Sequence, residues 1–245
     1  TKAIAMKYGW TFEIPLQHRI GRGYIFDSDY IDENQAYDEV TKFYNEDIEV
    51  QKVITFDAGR MENAWVKNCI GLGLAQSFVE PLEATSIYAT IEMLDHLKHF
   101  KNCFENYNKT SIQNYNNDVN FMLDNIRDFI RFHYISNRND SNFWKEFSKK
   151  YKISDYVVNQ VASMKGGNLQ YRCVKDYLAP FGLPSWLAVG NGLNIFTDYD
   201  NSGYKNIKPS VKEMKFLIDK NIKGMPLMKD WLKIINKNFY NNRGV

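Results

Sequence analysis

Phe78-Val79-Glu80-Pro81-Leu82-Glu83-Ala84-Thr85-Ser86 is the stretch at which this chain changes character. Before it the sequence reads as strands and turns, and after it as helices. Pro81 fixes its own φ and suits the approach to a helix or its first turn, so a helix is predicted to begin near Leu82. The first four N–H groups of a helix lack a partner within it. The amides of Thr85 and Ser86 then fall among free donors, where the helix dipole adds positive potential. A small anion could sit on them without a lysine or arginine. Glu83 stands beside that place. On local sequence alone the plainer reading of Glu83 is a first-turn acid stabilising the dipole. The sharper reading is a carboxylate beside a bound anion, resisting full ionisation or serving as polar partner to a passing acid. Glu80 and Glu83, three apart, also admit a paired-carboxylate hydrolase or a metal site. With no His or third acid near them in the sequence, no metal is expected.

Upstream, Gly71-Leu72-Gly73-Leu74-Ala75-Gln76 has two glycines of a dinucleotide fingerprint, with Gln76 in the third place; alone that is a weak signal. The glycines suit backbone that comes close to a flat ligand or a neighbouring strand. Trp10-Thr11-Phe12-Glu13-Ile14 alternates and stops at Pro15. Residues 17–26 predict a hairpin turning at Gly21 and Gly23, with His18 in a strand. Asp32 is placed to cap a helix running to about Tyr44. Residues 50–56 predict another strand, Asp57-Ala58-Gly59-Arg60 a turn, and residues 68–73 a short buried strand.

Downstream, Ile87, Ile91 and Leu94 form an apolar stripe at helical spacing, closed by Lys98. Met122, Ile126, Phe129, Ile130 and His133 share one face of a second helix. His133 there reads as a hydrogen-bonded core residue, and His96 and His99 as partners of a helix C-terminus. Shorter helices are predicted over 142–151, 154–165, 211–220 and 226–239. The fold class is α+β, divided into a strand-rich part, 1–81, and a mainly helical part, 82–245.

Composition bounds the function. The chain has 245 residues, 44% hydrophobic and 24% charged, as a folded core requires. A net charge of +2 excludes a strongly basic nucleic-acid binder. Cys69, Cys103 and Cys173 form no CxxC pair, which reads as reduced thiols in a cytoplasmic protein. No leader is recognisable, and no apolar run is long enough to span a bilayer. Thr1-Lys2-Ala3-Ile4-Ala5-Met6 reads as the middle of a strand, so the chain is expected to begin partway through a larger fold. No Gly-x-Ser-x-Gly or Cys–His signature suggests an acyl-transfer nucleophile.

The run Asn68-Cys69-Ile70-Gly71-Leu72-Gly73-Leu74-Ala75, followed by Phe78 through Ile87, resembles the signature of FAD-dependent tryptophan-type halogenases. Gly9-Trp10-Thr11-Phe12-Glu13-Ile14-Pro15-Leu16 is similar to that family's WxWxIP motif. Asp128-Phe129-Ile130-Arg131-Phe132-His133-Tyr134, Arg138-Asn139-Asp140 and Phe143-Trp144 resemble a helical stretch of the family. The likeness runs from residue 1 to about 200, as the C-terminal part of such a protein. It implies part of a flavin-monooxygenase-like FAD-binding fold with a helical substrate region. It also implies FAD supplied reduced by a separate flavin reductase, halide as co-substrate, and hypohalous acid passed to an electron-rich, indole-like aromatic substrate.

By motif, Glu83 matches the glutamate near the substrate, and Thr85 and Ser86 match the halide-holding amides. Gly73, Phe78, Val79, Pro81 and Ile87 match the flavin side of the loop, and Trp10 and Phe12 the aromatics between flavin and substrate. Phe12 stands where the motif has its second tryptophan, and Ser86 where the family often has glycine, a change that keeps the backbone N–H. The family's GxGxxG and catalytic lysine are not in this chain. Trp186, Asn191, Tyr199 and Tyr204 are candidates for holding the substrate. Two other readings stay open: a flavin hydroxylase on the same scaffold, which would form product without halide, and a non-catalytic helical interaction protein, which would bind no FAD. A homo-oligomer is also left open.

Overall fold

A computed structural model describes residues 2–104, 106–166, 179–196, 208–227 and 230–234. Cys173, Tyr199 and Tyr204 lie outside the described residues, as does half of the helix expected over 226–239. Chain contacts divide the molecule into two compact units, Thr1–Asp198 and Tyr199–Val245. The second unit contains a helix at Lys208–Gly224, longer at both ends than the 211–220 read from sequence.

The first unit opens with three antiparallel strands in the order β1 (Lys2–Ala5), β2 (Gly9–Pro15), β3 (Ile20–Phe26). The hairpin between β2 and β3 does not turn at the glycines. It turns at residues 16–19, where the Leu16 N–H donates to the Arg19 carbonyl at 2.8 Å, and His18 lies in that turn rather than in a strand. Gly21 and Gly23 sit inside β3, opposite Ile14 and Phe12. Strand pairing outweighed the turn preference of glycine, because the apolar alternation of β2 needs a partner of equal length. At Gly9 a Cβ would lie 1.9 Å from the Ile25 carbonyl oxygen, so only glycine fits.

Both faces of this sheet are covered. Helix α1 (Glu33–Tyr44) lies on one, with Tyr24 Oη donating to Glu39 at 2.8 Å and fully buried Thr11 3.3 Å from Tyr44 Oη. Asp32 and Gln35 form the reciprocal capping box at its start. Trp10 and Phe12 face the other way, into the main core.

Residues 50–56 form no strand. Val50, Val53 and Ile54 are exposed, because β-branched residues make a strand only where a partner strand covers them. The expected turn at 57–60 contains β4 (Gly59–Arg60), paired with β7 (Ser77–Phe78). The expected strand at 68–73 shrinks to β6 (Cys69–Ile70), paired with β5 (Trp65–Val66).

The helical part comprises α2 (Thr85–Leu97), α3 (Lys109–Phe132), α4 (Asn142–Lys150), α5 (Asp155–Lys165) and α6 (Leu183–Gly192). Helix α3 organises it. Ile112, Tyr115, Val119, Met122, Ile126 and Phe129 are buried at the i, i+3, i+4 spacing that draws one face of a helix inward. Against α3, α2 buries Thr85, Ala89 and Met93. The stripe Ile87, Ile91 and Leu94 is on the opposite side and is exposed, Ile87 by 76%. Its period was read correctly; which helical face meets α3 is decided by Ala89, small enough for close approach. Helix α4 is fastened to the sheet by Trp144 Nε1 donating to the Met6 carbonyl at 2.9 Å and Ser141 Oγ to the Lys7 carbonyl at 2.6 Å. Asp128 of α3 accepts from Ser154 Oγ, the cap of α5, at 2.7 Å.

Asn116 of α3, 3% exposed, uses its amide twice on one residue. Its Oδ1 accepts from the Trp65 N–H at 2.7 Å and its Nδ2 donates to the Trp65 carbonyl at 2.9 Å. Asn116→Ala would leave two buried backbone groups unpaired and should destabilise the protein by about 2–5 kcal/mol. Urea unfolding monitored by tryptophan fluorescence checks this; a midpoint unchanged from wild type would refute it.

Candidate functional site

Pro81, at φ −69° and ψ −13°, leads into a single 3-10 turn, Leu82–Ala84. The α-helix then starts at Thr85, three residues later than the sequence predicts. The reason is backbone geometry. Glu83 (φ 67°, ψ −1°) and Ala84 (φ 52°, ψ 40°) both occupy the left-handed region, which interrupts a right-handed helix and costs on the order of 1–3 kcal/mol per residue with a side chain. Leu82, 1% exposed in the core, anchors the turn, and the Ala84 N–H donates to the Pro81 carbonyl at 2.8 Å.

The left-handed pair leaves α2 without a side-chain cap. By contrast α1, α3, α4 and α5 are capped by Asp32, Asn108, Ser141 and Ser154. Thr85 and Ser86 therefore stand at a helix start whose N–H groups no cap consumes. They line a small cavity with Gly73, Val79 and Thr90, which has room for about one water-sized species. Gly73 has a φ of 59°, and a Cβ there would stand 3.3 Å from Thr90 Oγ1. Thr90 Oγ1 itself donates to the Ser86 carbonyl at 2.8 Å, tying down the helix's first turn.

Glu83 points back towards the end of α3. Its Oε1 lies 3.0 Å from His133 Nε2, and His133 Nδ1 is 2.9 Å from the Phe129 carbonyl oxygen. The His133 hydrogen bond holds the Glu83 carboxyl below its ordinary value, against an opposing contribution from burial. Glu83 thus favours ionisation at this site, the reverse of the reluctance expected for a carboxylate beside an anion. Glu80 behaves oppositely. Burial pushes it up to about 7, although Tyr134 Oη donates to its two oxygens at 2.8 and 3.0 Å. Burial and the nearby Glu80 likewise raise Tyr134 well above its ordinary value. Two carboxylates three residues apart are thereby shifted in opposite directions, Glu80 upward by burial and Glu83 downward by His133.

Trp10 joins this group edge-on, its ring centroid 6.2 Å from His133 and 6.0 Å from both Tyr134 and Trp144. Its buried Nε1 has no hydrogen-bond partner among the described residues. Phe12 lies deeper, 8% exposed in the core. Of the other candidates, Phe78 is in β7 against Phe56 at 4.8 Å, Pro81 is exposed, and Ile87 faces solvent. Trp186 is fully buried between Phe129, Phe132 and Tyr156, while Asn191 is exposed. The structure therefore gathers Gly73, Val79, Thr85 and Ser86 around one cavity, and Trp10 and Glu83 around His133. Among the described residues no cluster of three or more His, Cys, Asp or Glu could hold a metal ion, and no helix is long and apolar enough to cross a membrane.

Sequence reading missed the partners, His133 for Glu83 and Tyr134 for Glu80. The available signal was the adjacent pair His133-Tyr134 just past an apolar helical face, two polar rings in a place where the chain otherwise buries Phe and Ile.

Comparison with known proteins gives three results. The family model described as tryptophan halogenase matches residues 1–208. Tryptophan 7-halogenase RebH of Lentzea aerocolonigenes is 37% identical over 209 residues, covering 83% of this chain and 38% of that protein. Tryptophan 6-halogenase ThaL of Streptomyces albogriseolus is 35% identical, covering 68% and 32%. Among solved structures, the flavin-dependent halogenase BrvH from Brevundimonas sp. BAL3 superposes with a TM-score of 0.77 at 27% identity, covering 94% of this chain and 47% of that one. The chain thus spans less than half the length of these relatives.

Because the Glu80 carboxyl is raised from about 4.5 to about 7 on folding, it binds its proton more tightly in the folded state. Its contribution to stability is full below about pH 4.5 and is lost as pH rises through about 7, roughly 3 kcal/mol in all. Glu80→Gln should leave stability near pH 4.5 unchanged and raise it at pH 8 by about that amount. Thermal melts across this range test it; an equal gain at both ends would refute the burial account.

Proposed function

The chain belongs to the tryptophan halogenase family, and from that premise we propose that it is the substrate-facing part of a flavin-dependent halogenase acting on an electron-rich, indole-like aromatic. The observation that carries this reading is the uncapped start of α2, with Thr85 and Ser86 lining one small cavity and Glu83 just before them in the chain. Residues 1–81 would complete the FAD-binding and substrate-sheet domain of a flavin-monooxygenase-like fold, and residues 82–245 would form the helical region.

FAD, delivered reduced by a separate flavin reductase, would with O2 supply the oxidising power that turns halide into hypohalous acid. The residues present fit part of such a cofactor's surroundings. Gly73 keeps side-chain bulk out of the cavity wall, and Val79 and the exposed Ile87 offer apolar surface to a flat ring. Phe78 and Pro81 would shape the rest of that loop.

Thr85 and Ser86 bind halide through backbone N–H groups, helped by the helix dipole. Trp10, with Phe12 packed behind it, forms the wall that separates the oxidising side from the substrate. Glu83 orients the halogenating agent, accepts the proton that the ring loses as it gains halogen, and passes that proton to the departing hydroxide, which leaves as water. An ionised Glu83 is the form this role needs.

The full-length protein with reduced FAD, O2 and an indole probe should yield halogenated product only when halide is present. Product formed equally well without halide would replace this reading with a hydroxylase, and failure to bind FAD would replace it with a non-catalytic scaffold.

The amide account makes a sharper prediction. Ser86→Ala keeps the N–H and should leave the halide KM within about twofold. Ser86→Pro removes it at a position in the first turn where proline is tolerated, and should raise that KM about tenfold or more, the worth of one charge-assisted hydrogen bond. Equal damage from both variants would mean that the hydroxyl, not the amide, holds the halide.

A further inference from the structure

His133 caps the C-terminus of α3 and is 8% exposed. Its two ring nitrogens meet two oxygens, the Phe129 carbonyl at 2.9 Å and Glu83 Oε1 at 3.0 Å. A carbonyl oxygen can only accept, so Nδ1 must carry a hydrogen. A neutral ring with its hydrogen on Nδ1 has only a lone pair at Nε2, and an ionised carboxylate has only lone pairs too. Two lone pairs do not rest 3.0 Å apart where one belongs to a ring only 8% exposed. One proton therefore lies between Nε2 and Oε1, either on imidazolium facing carboxylate or on carboxylic acid facing neutral imidazole.

We propose that His133 is the positioning residue of this site, its tautomer fixed by the Phe129 carbonyl so that Nε2 and Glu83 hold one proton between them. The shared proton does two things. It engages Oε1, leaving Oε2 as the oxygen free to meet a ligand. It also anchors a side chain whose own backbone is in the left-handed region and would otherwise relax. The surroundings agree with a single-proton pair. Among the described residues the other titratable group that interacts with His133 is Glu80, from the segment before the turn, and it accepts a hydrogen bond from Tyr134, next along the chain. The Trp10 ring from β2 and the Phe129 ring from α3 meet His133 edge-on and carry no charge. This inference does not need the halogenase reading, although its kinetic consequence rests on it.

The test uses the full-length protein labelled with 15N-histidine. NMR should show Nδ1 of His133 protonated at neutral pH, and Nε2 carrying the shared proton. In Glu83→Gln, an isosteric change at a side chain 36% exposed, the amide supplies its own hydrogen, and Nε2 should move to the bare-nitrogen position while Nδ1 stays put. A bare Nδ1 in wild type, or an Nε2 signal indifferent to Glu83→Gln, would overturn the proposal. Both measurements require neither flavin nor halide, so they separate it from the functional reading above.

For an active enzyme, His133→Gln provides the second arm. The glutamine amide reaches Glu83 as a donor but cannot gain or lose a proton. Loss of about ten- to a hundredfold in kcat, with the halide KM unmoved and the pH profile altered, is expected. Unchanged kcat and pH profile would reduce His133 to a space-filling hydrogen-bond donor and overturn its positioning role.

Discussion

The buried face of α3 is the constraint on which the site depends. The helix carries the core along its length, and the polar groups interrupting or ending that face are the ones that fix neighbouring segments. Asn116 holds β5, Asp124 meets Arg60 of β4 through paired 3.0 Å contacts, Asp128 holds the start of α5, and His133 holds Glu83. Were the helix rotated by one residue, about 100°, each of these partners would point elsewhere. The hydrophobic effect supplies the direction in which the face turns, and the polar groups convert that direction into position.

The same helix end explains why Glu80 and Glu83 differ. Both belong to one short segment, and both meet a ring from the pair His133-Tyr134. A phenol gives its carboxylate a hydrogen bond without charge, and burial then prevails. An imidazole can bring a positive charge, and ionisation prevails. The division between the two acids follows from the deeper burial of Glu80 and from the imidazole that only Glu83 hydrogen-bonds.

Much of this was legible in the sequence, and the residues show why the rest was not. The cap at Asp32 is local, so adjacent residues suffice to reveal it. The inward face of α3 is periodic over many turns. The misreadings concern non-local choices. Glycines 21 and 23 looked like a turn because a single strand cannot reveal that its partner needs them opposite Phe12 and Ile14. Residues 50–56 have strand composition but no partner strand among the described residues. Ile87, Ile91 and Leu94 have helical period, yet the small Ala89 decided which side packs. At the candidate site, the helix-start amides and Glu83 could be named from spacing, whereas His133, fifty positions away, could not.

Glu83 and Ala84 have a consequence for sequence change. At a left-handed position glycine would be the more stable residue, so substitution there towards glycine would gain stability while discarding the carboxylate. A chain selected for folding alone would drift that way. Retaining an acid in this conformation means that stability and chemistry pull against each other at a single codon, and thermal robustness engineered at this turn would be obtained at the expense of the group that gives the turn its use.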